Sequence, residues 1–265
     1  MIKTASSIIR KSLPFLLVIL AVGVPLAYGI QMTVHKGYPS QIAVLSRIFI
    51  TPFMFIFPLI AGLLGCWKMY TEVGQRFASL HGARQSMRRY LARRLLCSAL
   101  VPAGAYFVYA VLAFLVAYYL WPQIGNPGVN PVNYAMTAAE AAQAELADTS
   151  YSQLLEFGTP VYGLAYAAWL GVSAGFYAVA TALCLVVMKN RLAAIALPSA
   201  VFLAQSVLSI AVTGPQSALV FSVFPFGLTQ LPIAAAAAPQ LALDLAVIVF
   251  AVYVFTNVRR KGYLT

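Results

Sequence analysis

The sequence predicts an all-α integral membrane protein with six transmembrane helices, and three observations support this fold class. The 265 residues are 62% hydrophobic and only 9% charged, whereas a soluble globular domain has about 25% charged residues. The apolar runs reach the length of about 20 residues that a helix needs to cross the hydrocarbon core. The basic residues are concentrated in the connections between alternate apolar runs. We therefore treat residues 1–265 as a single transmembrane domain.

The predicted spans lie at about 14–30, 42–66, 96–120, 161–188, 192–212 and 241–258. No small-residue cleavage site follows the first run, which favours a retained span over a signal peptide. In front of it, residues 1–12 have apolar side chains at helical spacing. This spacing predicts a short N-terminal helix on the inner membrane surface, and a flexible basic leader is the alternative. Arg47 is expected near the outer end of the second span, where its side chain can reach the interface.

The main basic segment, residues 67–95, holds seven of the 17 Lys and Arg residues. A charged side chain at the bilayer centre costs about 2.5 kcal/mol or more, so this segment is a water-facing connection. Apolar and aromatic residues recur at spacings of three and four on either side of His81 and Gly82. This pattern predicts two short amphipathic helices at the cytoplasmic surface. The first half, with its single acid Glu72, suits the docking of a protein, and the arginines of the second half suit anchoring to anionic lipid.

Three further connections have their own composition. Residues 122–157 contain four acids and no Lys or Arg, which indicates an external loop, and their Ala-rich half predicts a short helix. Only residues 189–191 separate the fourth and fifth spans, so these spans form a tight hairpin with a basic cytoplasmic tip. Four prolines between residues 213 and 240 argue against one straight helix. We interpret that region as a re-entrant or interfacial pair of short helices on the outer side, and a seventh, broken span is the alternative.

The distribution of charge predicts the orientation in the membrane. With six spans, the N-terminal residues, the 67–95 segment, the 189–191 tip and the C-terminal tail share one side. They hold three, seven, two and three basic residues, or 15 of the 17 in the chain. By the positive-inside rule both termini are cytoplasmic, and the protein is a multi-pass component of the cell membrane. Anchoring to the membrane surface is assigned to Arg10, Lys11, Arg88, Arg89, Arg93, Arg94, Arg259, Arg260 and Lys261. Because topology accounts for the net charge of +11, we expect no nucleic-acid partner.

Motifs for familiar chemistry are absent from the sequence. It contains no phosphate-binding loop, no HExxH, no CxxC and no GxSxG, so we expect no catalytic residue, metal site or cofactor in this chain. His35 and His81 fall in connections and are interpreted as solvated residues. Asp244 is the one acid placed within a span, just inside its outer end, where we expect it to cap the helix start or meet a partner. An ion relay would need further acids or histidines at depth, and there are none.

Over nearly the whole chain, the sequence resembles the membrane subunits of type 2 ABC exporters in its architecture: the N-terminal surface helix, the short turn at 189–191 and the Pro-bearing outer hairpin before the last span all fit that family. In that family the second span leads into a Glu, a Gly, a short coupling helix and a basic stretch, which here are Glu72, Gly74, 76–82 and 84–94. The resemblance implies two permease subunits, identical or homologous, above two ATPase subunits that bind ATP and Mg²⁺. It assigns contact with the ATPase to Glu72, Gly74, Arg76, Phe77, His81, Arg84, Lys189 and Arg191.

The cargo of such an exporter is expected to be hydrophobic or amphipathic, such as a drug, an antimicrobial peptide or a lipid-like molecule. This expectation comes from the uncharged, aromatic-rich spans, although aromatic residues in spans more often serve packing. The aromatics concerned are Phe53, Phe55, Phe57, Tyr106, Phe107, Tyr109 and Phe114. Two alternatives from other classes are a non-catalytic scaffold or sensor subunit that recruits a cytoplasmic partner, and an ion-coupled secondary transporter.

Overall fold

Residues 2–74, 87–124 and 128–257 are described in a computed structural model, with side chains from residue 16 onward except at 72–74, 87, 88 and 145. Six helices are long and apolar enough to cross a membrane, as predicted. These helices are α1 (Ile2–Thr33), α3 (Phe53–Gly74), α4 (Met87–Leu115), α7 (Thr159–Val187), α8 (Arg191–Val212) and α10 (Ile233–Asn257). Shorter helices are α2 (Gln41–Phe49), α5 (Trp121–Ile124), α6 (Ala138–Ala147) and α9 (Leu219–Val223). A π-helical turn, Val116–Leu120, continues α4 into α5.

The bundle has two ends that differ in charge. We call the end with Gly74, Met87 and residues 188–190 the basic end. We call the end with residues 34–40, 122–158 and 213–232 the loop end. The helix α1 runs without interruption for 32 residues, or about 48 Å. The N-terminal surface helix is therefore not a separate element, because residues 2–12 continue directly into the first span.

The predicted second span, 42–66, is wrong as a single helix. The nine residues of α2 extend about 13 Å, too short to cross a bilayer. The chain leaves the helical conformation at Ile50, where ψ is 76°, and α3 starts just after Pro52. Proline disfavours the helical conformation in the residue before it, which explains the break. Arg47 accordingly belongs to α2 and not to a spanning helix.

The most buried spanning helix is α7, and its packing depends on small side chains. Residues 163, 167, 171 and 175 are Gly, Ala, Gly and Gly, so a stripe of small residues runs along one face at helical spacing. The stripe lies against α4, with which α7 has its most extensive contact. A Cβ atom at Gly171 would come within 2.7 Å of the Ala103 carbonyl oxygen. Close approach of the two backbones is therefore what positions α7 at the centre of the bundle.

An aromatic cluster joins the short helices of the loop end to the spans. The Phe49 ring, at the end of α2, lies edge-on to the rings of Tyr109 and Tyr166, each 5.2 Å away between centroids, and stacks on Phe226 at 5.5 Å. The Phe57 ring lies 4.7 Å from that of Tyr106. The Phe49 ring thus contacts rings from α4, α7 and the connection after α9, and these three segments hold the end of α2 in place.

The connection between α5 and α7, as far as it is described, is hydrogen-bonded to the connection before the last span. Its Ala-rich half forms α6, as predicted, with a capping box between Thr137 and Glu140. After α6, the backbone N–H of Ser150 donates to the Pro225 carbonyl at 3.2 Å. In return, the Leu228 N–H donates to the Asp148 carbonyl at 3.2 Å. The two connections thus cover the loop end together.

Between Val212 and Ile233 the chain forms only a 3₁₀ turn, Pro215–Ser217, and the five-residue α9. The alternative of a seventh span is therefore wrong. The last span is also longer than predicted, because α10 starts at Ile233 and includes Pro239 in its second turn. The predicted pair of short helices is correspondingly confined to residues 215–223.

Candidate functional site

The connection between α7 and α8 lies beside the end of α3. The α7–α8 tip carries Lys189 and Arg191, and the side chain of Asn190 caps α8 by accepting from the N–H groups of Leu192 and Ala193 at 3.1 and 3.2 Å. The Arg191 guanidinium carbon lies 5.9 Å from the centre of the Tyr70 ring. Tyr70 belongs to the last two turns of α3, so the tip packs against the helix that leads into the predicted coupling segment.

The remaining residues assigned to ATPase contact are only partly described. Glu72 and Gly74 form the end of α3 by their backbone, four residues or fewer beyond Tyr70. Arg76, Phe77, His81 and Arg84 lie outside the described residues, and their assignment stays a prediction. Tyr70 was not predicted as a site residue, although Trp67, Tyr70 and Val73 belong to the amphipathic pattern of residues 67–95.

The basic residues assigned to membrane anchoring fall into three groups, according to whether their side chain, only their backbone, or neither is described. Arg89 and Arg93 are exposed in the first two turns of α4, and Arg94 lies with its guanidinium carbon 5.5 Å from the centre of the Tyr90 ring. Arg10 and Lys11 belong to α1 and Arg88 to α4 by their backbone. The tail residues Arg259, Arg260 and Lys261 lie outside the described part of the chain.

A cleft of about 370 Å³ opens between α1, α3 and α4. Leu17, Leu64 and Val101 contribute apolar walls, and Lys68 and Arg94 contribute two cationic side chains. This volume lies in the range of small-molecule sites, about 300–1,000 Å³. The sequence could not indicate this cleft, because its walls come from three helices.

A buried polar network joins α7 and α10. Asp244 is 5% exposed and Gln240 is fully buried. The Gln240 Nε2 donates to the Asp244 Oδ1 at 2.8 Å, and the Tyr177 hydroxyl donates to the Gln240 Oε1 at 3.1 Å. Both the oxygen and the nitrogen of the Gln240 side-chain amide thus have a partner inside the bundle.

The expectation that Asp244 caps the start of the last span is wrong. Because α10 begins at Ile233, Asp244 lies about 16 Å along the helix axis from that start. It faces α7 inside the bundle rather than the surface. An ionisable group at such a position marks a functional site by default, since burying it is costly. The spacing of Gln240 and Asp244 by four residues was visible in the sequence, whereas the partner Tyr177 was not.

No group of three or more His, Cys, Asp or Glu side chains that could hold a metal ion occurs among the described residues. Comparisons with known protein families, curated proteins and solved structures find no match. The resemblance to type 2 ABC permeases therefore rests on the sequence features already described.

Proposed function

We propose that this chain is the transmembrane subunit of an ATP-driven ABC exporter in the cell membrane, with its basic end in the cytoplasm. The observation that carries the proposal is the contact of Arg191 with Tyr70. It joins the α7–α8 tip to the end of α3, which supports a single surface that carries both predicted ATPase contacts. A single rigid partner could press on the two connections at once.

The packing of the spans suits the transmission of such a force. The helix α7 leads directly into the tip and packs against α3 and α4 along its length. A displacement of the basic end would therefore move α3 and α7 together. A conformational switch needs such rigid helices, which shift as units between two arrangements. ATP and Mg²⁺ would bind to two copies of a separate ATPase subunit, and this chain would hydrolyse nothing itself.

The transport pathway would form between two permease subunits, identical or homologous, rather than inside one. Phe57, Tyr106 and Tyr109, which suggested an apolar cargo, are buried against one another. The gap enclosed by this cluster is about 10 Å³, no more than one water requires. The proposed cargo remains a hydrophobic or amphipathic molecule, since the exposed faces of the spans are almost entirely apolar.

The test is co-purification of the tagged chain from its native host in mild detergent, with identification of bound proteins and an ATPase assay. Two variants reverse charge at the proposed contact: Glu72→Lys combined with Arg76→Glu, and Arg191→Glu. The matched control is Lys36→Glu, the same kind of change at an exposed position of the loop end. An ATPase that binds the unmodified chain and the control, but not the contact variants, would support the proposal.

If no ATPase binds, or if the control loses it as readily as the contact variants, the proposal is wrong. Capture of a different cytoplasmic protein by the same residues would favour the scaffold or sensor function. In each case the elution profile of the variants in size-exclusion chromatography shows whether the loss reflects unfolding.

A second candidate is an ion-coupled secondary transporter, and the buried Asp244 favours it. Such a transporter would move its cargo in proteoliposomes under a proton or sodium gradient without any ATPase. Replacement of Asp244 by Asn, which keeps the shape and removes the charge, would abolish that gradient-driven uptake. An ABC exporter would instead require the ATPase subunit and ATP.

A further inference from the structure

The glycines of the spanning helices differ in what surrounds them. Of the eight whose surroundings are described, six lie so close to another segment of the chain that an added Cβ atom would come within 3.4 Å of it. These six are Gly29, Gly62, Gly65, Gly163, Gly171 and Gly175. At the other two, Gly23 of α1 and Gly104 of α4, an added Cβ atom would meet nothing within 4 Å. Both of these residues are exposed.

The two glycines without neighbours lie at a similar depth on neighbouring helices. Both helices run from the basic end to the loop end, and Leu17 of α1 and Leu100 of α4 line the same cleft. Nearer the loop end, Pro25 of α1 and Tyr106 of α4 line one small gap. The glycines fall between these two levels on their helices and are therefore within about one turn of each other.

The sides of α1 and α4 that carry these glycines are apolar and exposed. We call the two sides together the α1–α4 face. Its large side chains are 38–61% exposed, and they are Leu16, Ile19, Leu20 and Val24 of α1 and Leu100, Val101, Val108 and Leu112 of α4. They present on the order of 700 Å² of apolar surface, close to the roughly 800 Å² that each partner contributes to a standard protein interface.

Glycine distinguishes this face from a surface that only meets lipid. Glycine is a poorer helix former than alanine, and in spanning helices small residues allow two backbones to approach closely. The six glycines with close neighbours follow this rule inside the chain. Lipid chains pack against alanine or leucine as well as against glycine, so Gly23 and Gly104 indicate close contact with a helix of another chain.

We propose that two copies of this chain associate through the α1–α4 face. A two-fold symmetric contact requires one surface to be complementary to itself. The face meets this requirement, because it offers both a ridge at Leu20 and Val24 and the bare backbone at Gly23 and Gly104. The inference rests on the proposed exporter function only in that it specifies how its two permease subunits pair.

Energy transfer between separately labelled copies measures this association. The purified full chain, with Lys36→Cys at the exposed loop end and Cys97→Ser, is labelled in two batches with a donor and an acceptor fluorophore. The batches are mixed in detergent and reconstituted together in phosphatidylcholine vesicles. Energy transfer is then followed as the ratio of protein to lipid is lowered, which gives a dissociation constant in the bilayer.

Substitutions that fill the bare backbone should weaken the pairing. Gly23→Ile and Gly104→Ile should each raise the dissociation constant at least about tenfold, because the added side chains hold the two backbones apart. The single chain should tolerate both changes, since each position has open space within the chain. The matched controls, Ala242→Ile and Ala246→Ile, enlarge small exposed residues of α10 and should pair like the unmodified chain. Circular dichroism and size-exclusion chromatography establish that the variants are folded.

Three results would overturn the inference. Energy transfer at the level of random encounters at every protein-to-lipid ratio would show that lipid covers the α1–α4 face. An unchanged dissociation constant in both glycine variants would assign the pairing to another face. An equal rise in the α10 controls would make the effect one of bulk rather than of position.

The assay contains no ATPase, so its outcome is separate from the test of the exporter function. A chain that pairs through this face but binds no ATPase would refute the exporter and leave the pairing in place. A chain that binds an ATPase but does not pair would refute the pairing alone.

Discussion

Asp244 and Gln240 lie one turn apart on α10, and their side chains are held together by hydrogen bonds rather than by an ion pair. Gln240 donates to Asp244 through Nε2 and accepts from Tyr177 through Oε1. A buried donor that loses its only partner costs about 1–3 kcal/mol, since no water replaces it. The role of Asp244 in stability therefore depends on its acceptor oxygen and not on its charge.

Two substitutions of Asp244 distinguish the effect of its acceptor oxygen from the effect of its charge. Asp244→Asn preserves an acceptor for Gln240 and should leave the apparent melting temperature close to that of the unmodified chain. Asp244→Leu removes the acceptor and should destabilise the fold by about 1–3 kcal/mol. Thermal unfolding in detergent, followed by size-exclusion chromatography, measures both. Equal destabilisation by Asn and Leu would contradict this account, because it would make the charge itself necessary.

Glu140, which lies outside the spanning helices, should make the stability of α6 depend on pH. Hydrogen bonds from the Thr137 backbone and hydroxyl lower the pKa of Glu140 below its ordinary value. A lowered pKa in the folded state means that the capping box contributes fully above the ordinary carboxyl pKa, about 4.3, and is lost as the pH falls through the lowered value. The start of α6 should therefore fray in acid.

Hydrogen exchange of the peptide that covers residues 136–148, corrected for intrinsic rates, should show less protection at pH 3 than at pH 6. In Glu140→Gln the protection should not change with pH, because Gln also completes a capping box but does not titrate in this range. If the variant lost protection in acid to the same extent, another group would be responsible.

At the scale of single helices, the stripe of small residues on α7 determines how closely it approaches α4. A methyl group at Gly171 would lie 2.7 Å from a backbone oxygen of α4, which cannot move away as a flexible side chain could. At Gly104 of α4 the same addition meets nothing within 4 Å. The same added methyl group would therefore meet backbone at Gly171 and open space at Gly104.

Gly171→Ala should therefore destabilise the bundle by about 1–3 kcal/mol, the usual cost of overpacking. Gly104→Ala should be neutral or slightly stabilising, because Ala is the better helix former. The apparent melting temperatures of the two variants, measured in the same detergent, test the difference. A destabilised Gly104→Ala variant would show that glycine flexibility, rather than close packing, matters in these helices.

The six spans were predictable because their length and hydropathy are local properties of the sequence. The Thr51-Pro52 pair indicated that the second apolar run is divided. The uninterrupted apolar character of residues 42–66 nevertheless favoured a single helix, and this prediction was wrong. The contact between Tyr177 and Gln240 joins positions 63 residues apart, and no local pattern indicates such a pair. The cleft at Lys68 and Arg94 was missed for the same reason, since it depends on how three helices pack.

For the whole molecule, the opposite charge of the two ends leads to a test of orientation. Lys36 at the loop end and Lys189 at the basic end are both exposed. In intact cells, a membrane-impermeant maleimide should label Lys36→Cys and should label Lys189→Cys only after permeabilisation. Of the native cysteines, Cys66 and Cys184 are buried and Cys97 is exposed on a span, so both variants are made in a chain with Cys97→Ser. The reverse labelling pattern would place the basic end outside the cell.

The central position of α7 has a consequence for the assembly of the chain in the membrane. Synthesis delivers α1, α3 and α4 first, while the partner for their closely packing faces begins only at Thr159. Until then, Gly62 of α3 and Ala103 of α4 lack their α7 neighbours, Thr181 and Gly171. A nascent chain that ends before α7 should therefore be a substrate for membrane proteases, and the insertion machinery must retain the first three spans until the fourth arrives.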